Sequence, residues 1–303
     1  MNVNWQGVYP AATTGFDSDE NLDLQETAKH FDYLIQSGVH GLVALGTVGE
    51  NTALTQHEKM MVVETAVDTS NQRVPVLIGV AENSTREAAN FAASCESAGV
   101  DGLMVLPGMV YKADAKETMD HFRLVANASE LPILIYNNPV AYGVDLKPEH
   151  FSQLADVETL VAIKESSEDV RRITDIYNAV GERYTIFAGV DDLALEAAML
   201  GAKGWVAGLV NAFPTESVLL WELAMSGSWE EARQIYRWFS PLLHLDTHIK
   251  LVQYIKLTMA EVGLGSETVR APRRPIKGEE RSEIMNIIRA AIKSRPNVDR
   301  TLT

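Results

Sequence analysis

Eight short apolar runs punctuate the first two thirds of the chain. They are GVYPAAT (7–13), HGLVALGT (40–47), VPVLIGVA (74–81), DGLMVLP (101–107), LPILIYNNP (131–139), LVAIKES (160–166), YTIFAGVD (184–191) and GWVAGLV (204–210). Each is apolar on both alternations, the pattern of a parallel strand covered on both faces. The intervening segments carry helical spacing. In residues 23–37, Leu24, Ala28, Phe31, Leu34 and Ile35 form one stripe, and residues 55–69 open on a capping box of Thr55 and Glu58. Further helical patterns cover 84–98, 114–128, a shorter piece at 148–155, 167–180, 191–200 and 214–226. Eight strand–helix alternations predict an α/β protein, a (β/α)8 TIM barrel. A doubly wound open sheet is the alternative, but its Gly-rich GxGxxG first turn is absent. Residues 227–303 lose the strands and read as three helices, 229–243, 249–263 and 279–294. The expected division is a barrel catalytic domain, 1–226, and a C-terminal three-helix extension, 227–303.

Composition narrows the classes of function. The 303 residues suffice for one large barrel, and the net charge of -15 makes nucleic acid and anionic membranes poor partners. An anionic ligand has to be held by local donors against that field. Cys95 is the single cysteine, so no internal disulfide forms; it falls on the helix after the third strand and reads as a small buried residue. The first residues lack a basic start followed by an apolar run, and no stretch approaches the roughly 20 apolar residues of a membrane helix. A cytoplasmic location is the expectation.

In a barrel the chemistry sits at the C-terminal ends of the strands. The sixth run ends on Lys164, the only charge among five core residues. Burying an ammonium is costly unless it is paired or neutral. An ordinary lysine is neutral only about once in 2,500 at pH 7; desolvation raises that fraction and makes the amine a nucleophile. A neutral amine in a small-acid pocket points to a Schiff base with a ketone carbon. The alternative is a lysine paired with Glu165, Glu168 or a barrel-mouth aspartate. After the second strand, Gly46 and Gly49 flank Thr47 and Val48, and the exposed amides with the Thr47 hydroxyl suit a carboxylate. A plain βα turn explains the same stretch equally well. Tyr136, in YNNP, is a candidate proton relay or a packed core tyrosine. Gly189 and Asp191, in GVDD, border the mouth, although Asp191 or Asp192 also suits a helix N-cap. Gly204, Gly208 and Asn211 leave room for a ligand around strand 8. Arg270, Arg273 and Arg274 form a basic loop, read as solvated or lining an interface. His244 and His248, four apart around Asp246, have zinc-compatible spacing, but HExxH is absent and the segment falls beyond the barrel, which favours packing roles.

Together, GTVGE, the P-x3-Y segment at 107–111, YNNP, AIKES, GVDD and GLVNAFP resemble the dihydrodipicolinate synthase/N-acetylneuraminate lyase family of class I Schiff-base lyases. The resemblance spans nearly the whole chain. It implies Lys164 as the imine-forming residue, Tyr136 as the proton-transferring residue above it, and Thr47 with the Thr47 and Val48 amides as carboxylate binders. Tyr111 resembles the tyrosine that completes a relay, in some members from a neighbouring subunit. The family implies a homodimer or homotetramer, a small keto or imino acid substrate, and no metal or other cofactor.

Two departures bear on substrate. Val48 stands where dihydrodipicolinate-forming members have a second threonine, and Ala141 stands where they have an arginine. Both count against lysine biosynthesis. The segments LPGMVYKAD, YNNPVAYGVDL, GVDDLALE and HLDTHIKLVQYIK resemble a bacterial branch associated with hydroxyproline breakdown. Its reaction is deamination and dehydration of 1-pyrroline-4-hydroxy-2-carboxylate to 2,5-dioxopentanoate. The competing expectation is a 2-keto-acid aldolase acting on 4-hydroxy-2-oxoglutarate or a 2-keto-3-deoxy sugar acid. A non-catalytic barrel retaining Lys164, Tyr136 and Thr47 is the reading from outside enzymology.

Overall fold

The computed structural model describes residues 3–298. Eight parallel strands form one sheet: β1 Gly7–Pro10, β2 Leu42–Ala44, β3 Val76–Val80, β4 Gly102–Val105, β5 Ile133–Asn137, β6 Leu160–Glu165, β7 Thr185–Ala188 and β8 Gly204–Ala207. The order β1-β8-β7-β6-β5-β4-β3-β2 runs around a ring. The ring closes where Ala11 pairs with Val43 just beyond β1, and the Ala12 amide donates to the Val43 carbonyl at 2.9 Å. The protein is a (β/α)8 barrel with C-terminal helices. The strands are shorter than their apolar runs because each run continues into the loop that carries the site.

Local sequence chemistry sets the helix ends. Asp23 and Ser84 cap their helices through side-chain oxygens, and Thr55–Glu58 forms the expected capping box. A second box, Asp114–Glu117, opens the helix Ala115–Ala126. The helix expected at 167–180 begins only at Arg171. A Glu165 oxygen takes the Ser167 amide at 2.8 Å and Glu168 adopts φ 62°, so this stretch is bent away from helical geometry. Asp191 is not a side-chain cap; residues 191–193 form a 3-10 turn before the helix Ala194–Met199.

Three helices follow β8 and its own helix, Pro214–Met225: Trp229–Asp246, Leu251–Glu261 and Gly278–Lys293. The first outruns its expected end, and His248 lies beyond it in a turn, so His244 and His248 do not share a helical face. His244 Nδ1 instead pairs with Asp192 at 2.7 Å. The basic loop also differs from its expectation. Lys256 Nζ reaches Glu50 at 2.7 Å, the Arg270 amide donates to Glu50 at 3.0 Å, and Arg273 lies 3.7 Å away. Arg270 also pairs with Glu58 at 2.9 Å. Arg270 and Arg273 therefore clamp the turn after β2 from within the chain. The turn needs holding, because Leu45 and Glu50 both adopt left-handed φ, 58° and 55°. Gly79 allows its close approach, since a Cβ there would lie 2.2 Å from the Leu45 carbonyl oxygen.

Glu50 is fully buried and Lys256 nearly so. Removing one partner of such a pair leaves an uncompensated charge, costing about 3–5 kcal/mol. Lys256→Met is expected to lower stability by about 3 kcal/mol in urea unfolding; an unchanged midpoint would show that Arg270 and Arg273 suffice.

Candidate active site

The register between β5 and β6 sets Tyr136 directly beside Lys164, and Asn137 beside Glu165. Alternation then separates their roles. Glu165 accepts from Asn137 Nδ2 at 3.1 Å and from the Ser167 amide, a structural anchor on the far side from the lysine. Lys164 is buried, and its Nζ lies 4.1 Å from the centre of the Tyr136 ring. Among the described residues it forms no ion pair, so the paired-lysine alternative fails at Glu165 and Glu168. Burial lowers the Lys164 pKa, opposed by nearby Tyr142, Asp191 and Asp246. Gly189 makes room for this side chain: a Cβ there would lie 2.0 Å from Ser166 Oγ and 2.8 Å from Lys164 Cγ.

Thr47 Oγ1 hydrogen-bonds the Tyr142 hydroxyl at 2.5 Å. Tyr142 packs edge-on against Tyr136, with ring centres 5.7 Å apart. Tyr142 comes from the short helix Pro139–Tyr142, capped by the Asn138 side chain; Asn138 Nδ2 also donates to the Tyr136 hydroxyl at 3.0 Å. Burial raises the pKa of both tyrosines, so they hold their protons until a base takes one. Tyr111 is not brought here within the chain. It is 65% exposed, and its hydroxyl donates to the capping-box residue Glu117 at 3.1 Å. Val48 and Gly46 are buried in the turn, and Thr47 is the turn residue that reaches the cavity wall.

The cavity holds about 470 Å³ and is bordered by Thr47, Tyr142, Ser166, Gly189, Asp191 and Asp246, among others. Asp191 is buried and accepts from the Gly208 and Leu209 amides at 3.1 and 3.2 Å and from Trp205 Nε1 at 3.3 Å. Asp246, at the end of the helix Trp229–Asp246, sits against it. Burial raises the pKa of both carboxyls, and each lies close enough to interact directly with the other. Gly208 does not open space for a ligand. A Cβ there would lie 2.3 Å from Asp246 Oδ1 and 2.5 Å from Ile255 Cδ1, so the C-terminal helices fill that room.

The dihydrodipicolinate synthetase family model matches residues 4–291. The chain belongs to that family. It is 30% identical to the 4-hydroxy-tetrahydrodipicolinate synthase of Methanothrix thermoacetophila over 94% of this chain and 96% of that one. It is 34% identical to an uncharacterized DapA-like lyase of Halobacterium salinarum, over 90% of this chain and 88% of the relative. Among solved structures, YagE, a prophage protein of the family from E. coli K12 in complex with pyruvate, superposes with TM-score 0.90 at 27% identity, covering 96% of this chain and 99% of that one. The protein is accordingly an enzyme of the class I, Schiff-base lyase type.

Sequence reasoning missed Asp246 and Ser166, and it weighed the Tyr142 hydroxyl only as a carboxylate contact beside Ala141, not as a relay partner of Thr47. Tyr142 carried a signal, since an aromatic six residues after Tyr136 in a Gly- and Pro-bounded loop suits a turn back over the strand end. The sequence puts Asp246 and its flanking histidines beyond the barrel, whereas Asp246, Thr247 and His248 all line the cavity.

The lowered Lys164 pKa has a direct consequence. The amine becomes neutral below the ordinary lysine range of about 10.4, so the rate of imine trapping should rise with pH and level off before that range. A rise that continues to the ordinary lysine pKa would show an amine that is not desolvated.

Proposed function

We propose that the protein forms an imine through Lys164 with a small hydroxylated 2-oxo or cyclic imino acid, and that 1-pyrroline-4-hydroxy-2-carboxylate, deaminated and dehydrated, is the substrate the site suits best. The observation that carries this reading is the buried, ion-pair-free Lys164 amine against Tyr136. Lys164 attacks C2 of the cyclic imine and the ring opens to a primary amine. Tyr136 takes a C3 proton as its own proton passes through Tyr142 and Thr47 to the amine freed by ring opening, and the C4 hydroxyl leaves as water. Tautomerisation and hydrolysis release ammonia and 2,5-dioxopentanoate. Tyr142 occupies, within the same chain, the relay place that the family resemblance suggests for Tyr111.

Charge supports this substrate over the two-carboxylate intermediates of dihydrodipicolinate formation. Ala141 offers no cation, and Asp191 with Asp246 beside the lysine would repel a second carboxylate. The hydroxyl relay also suits a retro-aldol step, so a 2-keto-acid aldolase is the second reading. Thr47 and the turn amides hold the substrate's one carboxylate in either case. Val110, 92% exposed at φ 72°, and Tyr111 together form an apolar knob that supports a homodimer or homotetramer.

Borohydride trapping followed by intact mass, run with pyruvate and separately with the hydroxylated pyrroline carboxylate, tests the reading. A stable adduct that is lost in Lys164→Ala, with ammonia released from the pyrroline, is the expected result. Pyruvate formed from a hydroxylated keto acid favours the aldolase, and turnover unchanged in Lys164→Ala would sink imine catalysis altogether. Tyr142→Phe should slow turnover by about 10²-fold or more, while Tyr111→Phe leaves it nearly intact; the reverse order would return the relay to Tyr111.

A further inference from the structure

Two buried oxygens at the barrel mouth lack a hydrogen-bond partner: Ser166 Oγ and Asp246 Oδ1. Ser166 is 2% exposed, and both residues line the cavity that also contains Asp191. A buried carboxylate oxygen without a donor is costly, and more so beside a second carboxylate. Asp191 is held by two backbone amides on one oxygen and by the Trp205 indole on the other, which leaves that second oxygen free to share a proton. One proton held between Asp191 and Asp246 resolves both problems. It gives the orphaned oxygen a partner and leaves a single negative charge near Lys164.

We propose that Asp246 is the acid that protonates the departing hydroxyl of the substrate, with Asp191 as the positioning residue that shares its proton; this rests on the dehydration reading above. Glu168 and His248, the other ionisable groups lining the cavity outside the relay, are exposed to solvent, whereas Asp246 Oδ1 is buried at the mouth. Tyr136, Tyr142 and Thr47 belong to the relay that removes the C3 proton, and Lys164 is consumed in the imine. In the step, the enamine nitrogen lone pair moves into the N–C2 bond, the C2–C3 electrons form C3–C4, and the C4–O bond breaks. The oxygen leaves with that electron pair and takes the shared proton, so water departs and the acid pair gains one negative charge. The positive charge that develops on the Lys164 imine nitrogen compensates it. Ser166 Oγ, still unpaired, provides a second contact for the same oxygen. The proton is restored from solvent when the product leaves. In this way the C-terminal helices supply a reacting group to a site otherwise built from strand ends.

The test compares two leaving groups. Asp246→Asn and Asp246→Ala are assayed on the 4-hydroxy pyrroline carboxylate and on its 4-chloro analogue, whose chloride departs without a proton. Borohydride trapping of each variant establishes that the site is folded and forms the imine. The expected result is retained trapping, a loss of about 10²–10⁴-fold in ammonia release from the hydroxy substrate, and a loss under about tenfold in chloride release from the analogue. Equal losses on both substrates would make Asp246 merely structural and overturn the proposal, as would undiminished turnover of the hydroxy substrate. If the wild-type chain itself neither traps the hydroxy substrate nor releases ammonia, the dehydration reading fails and the acid role falls with it.

Discussion

An amine taken out of water without a direct ion pair governs the mouth of this barrel. Its ammonium form is disfavoured by burial, and the neighbouring structure either tolerates that or exploits it. Glycine at 189 vacates the space it needs. Tyr136 gives it a π face in place of a carboxylate. Glu165, one residue on, is turned to the opposite side of the strand and kept occupied by Asn137 and a backbone amide. Were that carboxylate to swing inward, the lysine would regain a salt bridge and lose its nucleophile. The two-residue period of β6 is what keeps them apart.

The barrel was readable because parallel strands buried on both faces leave continuous apolar runs and amphipathic helices leave stripes. The runs at 160–166 and 131–139 placed Lys164 and Tyr136 at strand ends, and pairing in register then made them neighbours. What sequence could not convey was contact across long separations. Asp246 reaches the mouth only because a helix runs past its apparent end and packs against Gly208, just beyond β8. No local pattern in HLDTHIK records that. The same holds for Arg270 and Arg273, which read as a solvated loop because their partner, Glu50, is more than two hundred residues away in the chain. Tyr111 shows the reverse case: a spacing that fits a family pattern, on a side chain that here satisfies itself locally with Glu117.

Within this site, tasks divide by segment. Strand ends hold the nucleophile and its tyrosine. The loop after β5 returns Tyr142 over them, and the turn after β2 presents Thr47. The C-terminal helices close the remaining side with Asp246 and buttress the β2 turn through Lys256. Position 208 illustrates the dependence, since its missing side chain is an opening only until the helices occupy it.

The Lys256–Glu50 contact spans 206 positions of the chain, and this has a meaning for the protein's synthesis. Glu50 emerges from the ribosome early, carrying a charge that the finished molecule buries completely. Its partner is not translated until most of the chain exists. Until then the turn that presents Thr47 has no internal cation to settle on, so a nascent barrel can assemble its strands yet lacks a finished substrate cradle. The finished form of the turn that presents Thr47 thus depends on a helix near the end of the chain.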